Sequence, residues 1–167
     1  MTRWLEPLEE ALSRAAAFRG FGLRPAHPED REFLFALHRS AMKGYVDATW
    51  GWDEAWQRKH FEQIYVPGRH AVIVRQAPPR DVGRISLTRH WRKIFLRDIE
   101  LVAEERNRGL GGSILIALVA LARSEGRAVE LIVLKCNPAQ RLYARLGFRV
   151  IADDGERLTM RVPRNSA

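Results

Sequence analysis

Apolar residues in the first twenty positions recur at helical spacing. Leu5, Leu8, Leu12 and Ala16 form one stripe, and Gly20 ends it. The pattern predicts an amphipathic helical extension over 1–20 ahead of a domain over 21–167. Phe21–Arg24 then predicts a short strand stopped by Pro25. From Asp30 the helical period returns through Phe33, Leu34, Leu37 and Met42. Lys43–Gly51 reads as a loop, and Asp53 as the cap of a second helix to about Ile64.

The period changes in the middle of the chain. His70–Arg75, Val82–His90 and Ile94–Val102 predict three consecutive strands, the first two joined by a turn at Pro78–Asp81. Leu110–Glu125 is apolar on most faces, which predicts a buried helix ending at Gly126. Ala128–Leu134, apolar but for Glu130, predicts a strand buried on both faces. Asn137 suits an N-cap and Pro138 the first helical position, with Gln140 completing a capping-box-like pair. That short helix carries Leu142, Tyr143 and Leu146 and stops at Gly147. Phe148–Ala152 and Arg157–Val162 predict a hairpin around Asp153-Asp154-Gly155. The order α, β, α, α, β, β, β, α, β, α, β, β predicts an α/β (α+β) fold, a mixed sheet with helices on both sides.

The chain's 167 residues suffice for one domain with a proper core. The longest uncharged apolar run, Leu110–Ala122, is too short to span a bilayer, and Met1–Glu6 carries acid where a signal peptide has its apolar stretch. The expectation is a cytoplasmic protein with no membrane partner. Cys136 is the single cysteine and reads as a small buried filler. The formal net charge of +8 rests mostly on scattered arginines, with no basic run and no interleaved aromatics. That disfavours nucleic acid as a partner and suits a polyanionic small ligand. His27, His38, His60, His70 and His90 show no metal spacing and read as surface or packing residues, so no metal is expected.

One stretch carries chemistry. Arg106-Asn107-Arg108-Gly109-Leu110-Gly111-Gly112 lies between a strand and a long helix. Its glycines permit a turn with exposed N–H groups, and the positive end of the helix dipole points back at them. This is a ready-made anion seat. It lacks the third glycine of a dinucleotide fingerprint and the lysine of a Walker loop, leaving R-x-x-G-x-G.

One helix and one strand later stands Asn137-Pro138-Ala139-Gln140-Arg141-Leu142-Tyr143-Ala144-Arg145-Leu146-Gly147-Phe148. Together the two motifs resemble the GNAT superfamily of acetyl-CoA-dependent N-acetyltransferases, and the element order resembles that fold over roughly residues 21–162. The resemblance implies a GNAT-like central sheet, mostly antiparallel, and acetyl-CoA as cofactor. The amides of Arg106 to Gly112 would hold the coenzyme A pyrophosphate. The backbone of Leu101, Val102 and Ala103 would pair with the pantetheine arm, beside Asn137. Tyr143 would protonate the departing thiolate. Two departures from the pattern stand out. Ala103 replaces a proline common in the family, and Glu104 and Glu105 put acid beside the phosphate loop.

Acyl transfer to an amine needs a neutral nitrogen. A lysine-type amine costs roughly 4–5 kcal/mol to deprotonate at pH 7, an α-amine only about 1. Glu100 is the candidate base, directly or through water, against the plain reading of an ion-paired carboxylate. Asp98 shares its face and Arg97 the other. Because Ile99 and Leu101 alternate with Glu100, strict alternation sets Glu100 opposite to them, and a local bulge would reverse its side. Trp50, Trp52 and Trp56 read either as an aromatic wall for the acceptor or as a helix-entry cluster closing the core. The expected activity is transfer of acetyl to a primary amine of a small molecule in a ternary complex. Acetylation of a protein N-terminus or lysine, and a non-catalytic acyl-CoA- or partner-binding domain, are the alternatives. The stripe of residues 1–20 needs a surface, either the chain's own core or that of a second copy in a homodimer.

Overall fold

The computed structural model describes residues 4–164. Seven strands form one sheet in the order β1-β2-β3-β4-β5-β7-β6. They are β1 (Phe21–Pro25), β2 (His70–Gln76), β3 (Pro79–Arg89), β4 (Lys93–Leu101), β5 (Ala128–Leu134), β6 (Arg149–Asp153) and β7 (Arg157–Val162). Every neighbouring pair is antiparallel except β4 and β5. The helices are α1 (Leu5–Ser13), α2 (Arg31–Trp50), α3 (Glu54–Ile64), α4 (Leu110–Ser124) and α5 (Ala139–Arg145). The mixed sheet flanked by helices is the predicted architecture. Among the described residues no helix is long and apolar enough to cross a membrane.

The larger core lies on one face of the sheet. Ile73, Ile85, Leu87, Leu131 and Val133 pack there against Ile114, Leu115 and Leu118 of α4. The stripe of α1 is buried in this same core, with Leu8 and Leu12 fully enclosed, so its apolar side is covered within one chain. A smaller core on the opposite face joins Leu34 and Phe35 of α2 and Phe61 of α3 to Val72 of β2.

Three local readings change. Strand β5 is not buried on both faces: Glu130 interrupts its apolar run, and Ile132 on the same face is 47% exposed. Helix α2 runs on through the stretch expected as a loop and ends only at Gly51, whose φ is +82°. Val46 is the reason: it lies four residues beyond Met42, in line with the buried Phe35, and is itself buried. Cys136 is exposed rather than buried, its Sγ 3.5 Å from the Tyr45 carbonyl and from Thr49 Oγ1. The end of β5 is thereby tied to the end of α2.

Strand β4 is where the fold makes room for a site. Ser86 pairs with Asp98 but Leu87 with Leu96, so Arg97 is an extra residue in the ladder. Such a bulge advances the side-chain alternation by one. Before it, Ile94 and Leu96 face the α1/α4 core; after it, Ile99 and Leu101 do. Asp98 and Glu100 are consequently turned to the α2/α3 side. The same bulge ends the pairing with β5, which covers only Lys93–Leu96 against Ala128–Leu131. From Arg97 onward β4 keeps β3 on one edge, while the other edge opens into a wedge.

Gly83 lets β3 approach this segment. A Cβ there would lie 2.6 Å from the Glu100 carbonyl oxygen and 2.7 Å from Leu101 Cδ2. Gly83→Ala should therefore cost about 1–3 kcal/mol, read as a lowered denaturation midpoint. Leu8→Ala should cost about 2–5 kcal/mol, lowering Tm by roughly 5–15 °C by scanning calorimetry, because α1 is part of the main core. An unchanged Tm would make α1 a dispensable appendage.

Candidate active site

The wedge between β4 and β5 has a phosphate-sized cradle at one end. After β4 the chain makes a tight turn at Ala103–Glu105 and then passes through Asn107 (φ +59°) and Gly109 (φ +85°) before entering α4. These left-handed residues swing successive N–H groups to one side. The first amide to find an acceptor is that of Ser113, bonded to the Gly109 carbonyl at 2.9 Å. Among the described residues, the amides of Asn107, Arg108, Gly109, Leu110, Gly111 and Gly112 make no hydrogen bond. Six donors at the positive end of a 15-residue helix fit a pyrophosphate.

The two arginines of the loop divide their work. Arg106 turns inward, donating from Nε to the Leu101 carbonyl at 2.8 Å and from Nη2 to Ser40 Oγ at 3.3 Å, which ties the end of β4 to α2. Arg108 stays exposed and lines a cavity of about 340 Å³ with Arg19 and Arg75. The acids beside the loop are neutralised: Glu105 is buried against Arg75, and Glu104 lies 3.7 Å from Arg80. Neither opposes an incoming phosphate with a bare charge.

Helix α5 stands over the start of α4. Asn137 caps it as expected, its Oδ1 accepting from the Ala139 amide at 2.9 Å with Pro138 following in helical backbone. Gln140 reaches back to the carbonyls of Lys135 and Asn137 rather than completing a capping box. Tyr143 is buried, its ring 5.8 Å from Phe148. Its hydroxyl makes no hydrogen bond among the described residues. Burial pushes its pKa up to about 12, helped by the charges of Glu100 and Asp98. The phenol thus lies within electrostatic reach of the two carboxylates of β4.

Those carboxylates form a buried charged cluster. Arg84, directly opposite Glu100 on β3, is 2% exposed. Its Nε donates to Glu100 Oε2 at 2.7 Å, and its Nη2 lies 3.1 Å from Asp98. His38 of α2 meets Glu100 Oε1 through Nδ1 at 2.8 Å. Burial pushes the Glu100 carboxyl up, but Arg84 and the His38 bond outweigh it and bring it down to about 2. Asp98 moves the other way: burial and then the neighbouring Glu100 charge raise it, against the pull of Arg84. His38, Asp98 and Glu100 place ligand atoms within 4.8 Å of one another, as a metal site would. Arg84 already supplies the cation between the carboxylates. Further along the same face, His70 Nδ1, Ser86 Oγ and Thr88 Oγ1 are buried without a protein partner. Burial, then Arg84 and Arg97, lower His70 to about 4.

The three tryptophans do not share one wall. Trp52 lies beside His38, ring centroids 6.1 Å apart, and donates to Glu54 at 2.8 Å. Trp50 points to the β6–β7 turn, where it donates to Glu156 and lies under Arg157. Trp56 is exposed and stacks on His60 at 4.8 Å. Asp53 caps α3 as expected, accepting from the Trp56 amide. Sequence reasoning missed Arg84 and His38. Arg84 sits in an apolar run as its one charge, which is the usual mark of a buried ion pair. His38 carried no local signal at all.

Solved structures share this architecture. A PaiA N-acetyltransferase from Thermoplasma acidophilum, solved with coenzyme A, superposes with a TM-score of 0.68 at 18% identity, covering 87% of this chain and 99% of that one. The ribosomal-protein-S18-alanine N-acetyltransferase of Escherichia coli gives 0.63 at 17% identity, with 88% and 96% covered. Ard1 from Thermoplasma volcanium gives 0.61 at 18%, with 88% and 99% covered. Among curated proteins no sequence match was found. The profile of the Acetyltransferase (GNAT) family matches residues 15–148, from the end of the N-terminal segment through α5 to Phe148. The wedge, the amide cradle and the α5 phrase all fall inside that match, and the chain belongs to the GNAT acetyltransferase family.

Proposed function

We propose that this protein transfers acetyl from acetyl-CoA to a primary amine of a small molecule, by direct attack within a ternary complex. The observation that carries the reading is the wedge itself. It runs from six unengaged amides at the start of α4, past the unpaired edge of Arg97–Leu101, to Tyr143 and the Glu100 cluster. In this reading the loop from Arg106 to Gly112 holds the pyrophosphate through the amides of Asn107 to Gly112, the Arg106 amide being bonded to the Ala103 carbonyl at 3.2 Å. The free edge of β4 around Leu101, Val102 and Ala103 pairs with the pantetheine arm, with Asn137 on the opposite bank. The Leu101 carbonyl is already engaged by Arg106, so that pairing draws on the neighbouring backbone groups.

Tyr143 faces the leaving sulfur in this arrangement. With its pKa near 12, it is a weaker acid than a thiol of about 8.5. It therefore stays protonated throughout the working range and stabilises the departing thiolate as a hydrogen-bond donor. Glu100 serves the site through the groups it holds, because Arg84 and His38 occupy its two oxygens. The acceptor enters beneath the C-terminal half of α2, where Trp52 supplies the aromatic surface and Trp50 the rim.

A second reading has one observation in its favour. On β5, Ile132 is 47% exposed on the sheet face that carries Glu130, so this part of the face stays open to solvent. A polypeptide N-terminus would have room to lie along it. One structurally similar protein is by name an alanine N-acetyltransferase for a ribosomal protein.

Acetyl-CoA should raise the protein's Tm by several degrees at concentrations well above its Kd, measured by thermal shift. No shift at millimolar acetyl-CoA would remove the coenzyme from the proposal. Tyr143→Phe should cut kcat by roughly 10²-fold while leaving the calorimetric Kd for coenzyme A within about twofold. Thiol release measured over a panel of small amines and a panel of short peptides decides between the two acceptor classes.

A further inference from the structure

An acceptor amine arrives mostly as an ammonium ion, so something must take its proton before nitrogen can attack. Glu100 is badly placed for this. It is 6% exposed, Arg84 Nε holds one of its oxygens at 2.7 Å and His38 Nδ1 holds the other at 2.8 Å. Both oxygens are already engaged in buried charged contacts, and the carboxylate offers an acceptor almost no accessible surface. The carboxyl is also held down to about 2, which makes it a feeble base near neutrality.

The bond to His38 has a consequence for the imidazole. An ionised carboxylate only accepts, so Nδ1 must be the donor, and the ring's lone pair is then on Nε2. Arg84 Nη2 lies farther from Nδ1, at 3.4 Å, and as a donor it cannot substitute for the carboxylate. Phe61 stacks against the ring at 6.3 Å and Trp52 flanks it at 6.1 Å, which restrains its rotation. The charged groups around it are Glu100 and Asp98 from β4 and Arg84 from β3. Helix α3 contributes the neutral Phe61, and the α2–α3 turn the neutral Trp52. The side chain is 20% exposed, and Nε2 has no hydrogen-bond partner among the described residues. Tyr143 and His38 are thus both coupled to this carboxylate cluster, Tyr143 electrostatically and His38 by a direct hydrogen bond.

Resting on the acetyl-transfer reading above, we propose that His38 is the general base, accepting the acceptor's proton at Nε2, and that Glu100 is the positioning residue that fixes its tautomer and orientation. His38 takes one proton from the ammonium, directly or through one water. The freed nitrogen lone pair forms the C–N bond to the thioester carbonyl carbon as the C–S bond breaks, its electron pair going to sulfur under the hydrogen bond from Tyr143. The second nitrogen proton neutralises the thiolate, the third stays on the amide, and His38 returns its proton to solvent. One ammonium and one thioester become one amide, one thiol and one proton.

The test uses two probe amines, propylamine of the lysine type and glycinamide of the α-amino type. At pH 7 both are mostly protonated, but the neutral fraction is roughly one in ten for the second and only about one in 2,500 for the first. His38→Gln should cut kcat/KM for propylamine by roughly 10²-fold or more, and for glycinamide by about tenfold or less. The propylamine deficit should shrink as pH rises toward 10, with the Kd for coenzyme A unchanged. Glu100→Gln should show the same dependence on amine and pH, in weaker form. Equal losses for both amines with an unaltered pH profile would overturn the assignment. A second measurement needs no turnover and no variant that might misfold: nitrogen-15 shifts of the wild-type His38 ring. Nδ1 protonated with a pyridine-like Nε2 is expected, and a protonated Nε2 in the neutral ring sinks the proposal. Absence of acetyl-CoA binding would instead strike at the coenzyme reading and leave the tautomer result standing.

Discussion

The single extra residue in β4 is the constraint on which the site depends. Without the bulge at Arg97, the alternation established by Ile94 and Leu96 would continue. Asp98 and Glu100 would then point into the α1/α4 core, among leucines and valines, with no countercharge. The bulge turns both carboxylates toward α2 and at the same position ends the pairing with β5. A strand that stops pairing on one edge while still held on the other leaves unpaired backbone groups, and these demand partners. A ligand arm that can hydrogen-bond like a strand fits that demand, so a local register defect creates the opening and arms it together.

Turning two carboxylates inward carries a cost, and Arg84 meets it. Buried like charges repel, and a buried guanidinium alone would be equally unfavourable. Placed directly across from Glu100 and within reach of Asp98, Arg84 binds both and lies over the Phe61 ring at 5.5 Å. Its grip is uneven. Glu100 is pulled far below the usual carboxylate range while Asp98 rises above it, so the cluster sorts two chemically similar acids into distinct environments. The same logic protects the amide cradle, where Arg75 neutralises the buried Glu105 and leaves the helix dipole as the dominant local field.

Helix α2 is the element that joins these parts. Its length carries it from the Arg106–Ser40 contact at the end of β4, across His38 over Glu100, to Tyr45 and Thr49 beside Cys136 at the end of β5. It spans the wedge and touches both banks. That is why one helix can supply both a restraint on the turn after β4 and a side chain over Glu100.

Periodicity, turn residues and the glycine loop were enough to place every strand and most helices, because each of those features is a local backbone preference repeated over several residues. The anion seat was legible for the same reason: left-handed glycines followed by an apolar helix are a property of contiguous chain. The Asn137–Phe148 phrase identified the coenzyme because it too is contiguous. The continuation of α2 past Met42 was not legible, since Gly44 and its polar neighbours are weak helix formers that only the burial of Val46 commits to helix. The face taken by Glu100 was undecidable from alternation alone, because a bulge is set by how two strands pair. Likewise the separation of Trp50, Trp52 and Trp56 onto three different partners follows from where α2 ends, not from their closeness in sequence. By itself the sequence determined the order of elements and the anion seat ahead of α4. Tertiary structure alone decided that Arg84, forty-six positions after His38, meets it over Glu100, because charge pairing across a sheet depends on register and leaves no periodic trace along the chain.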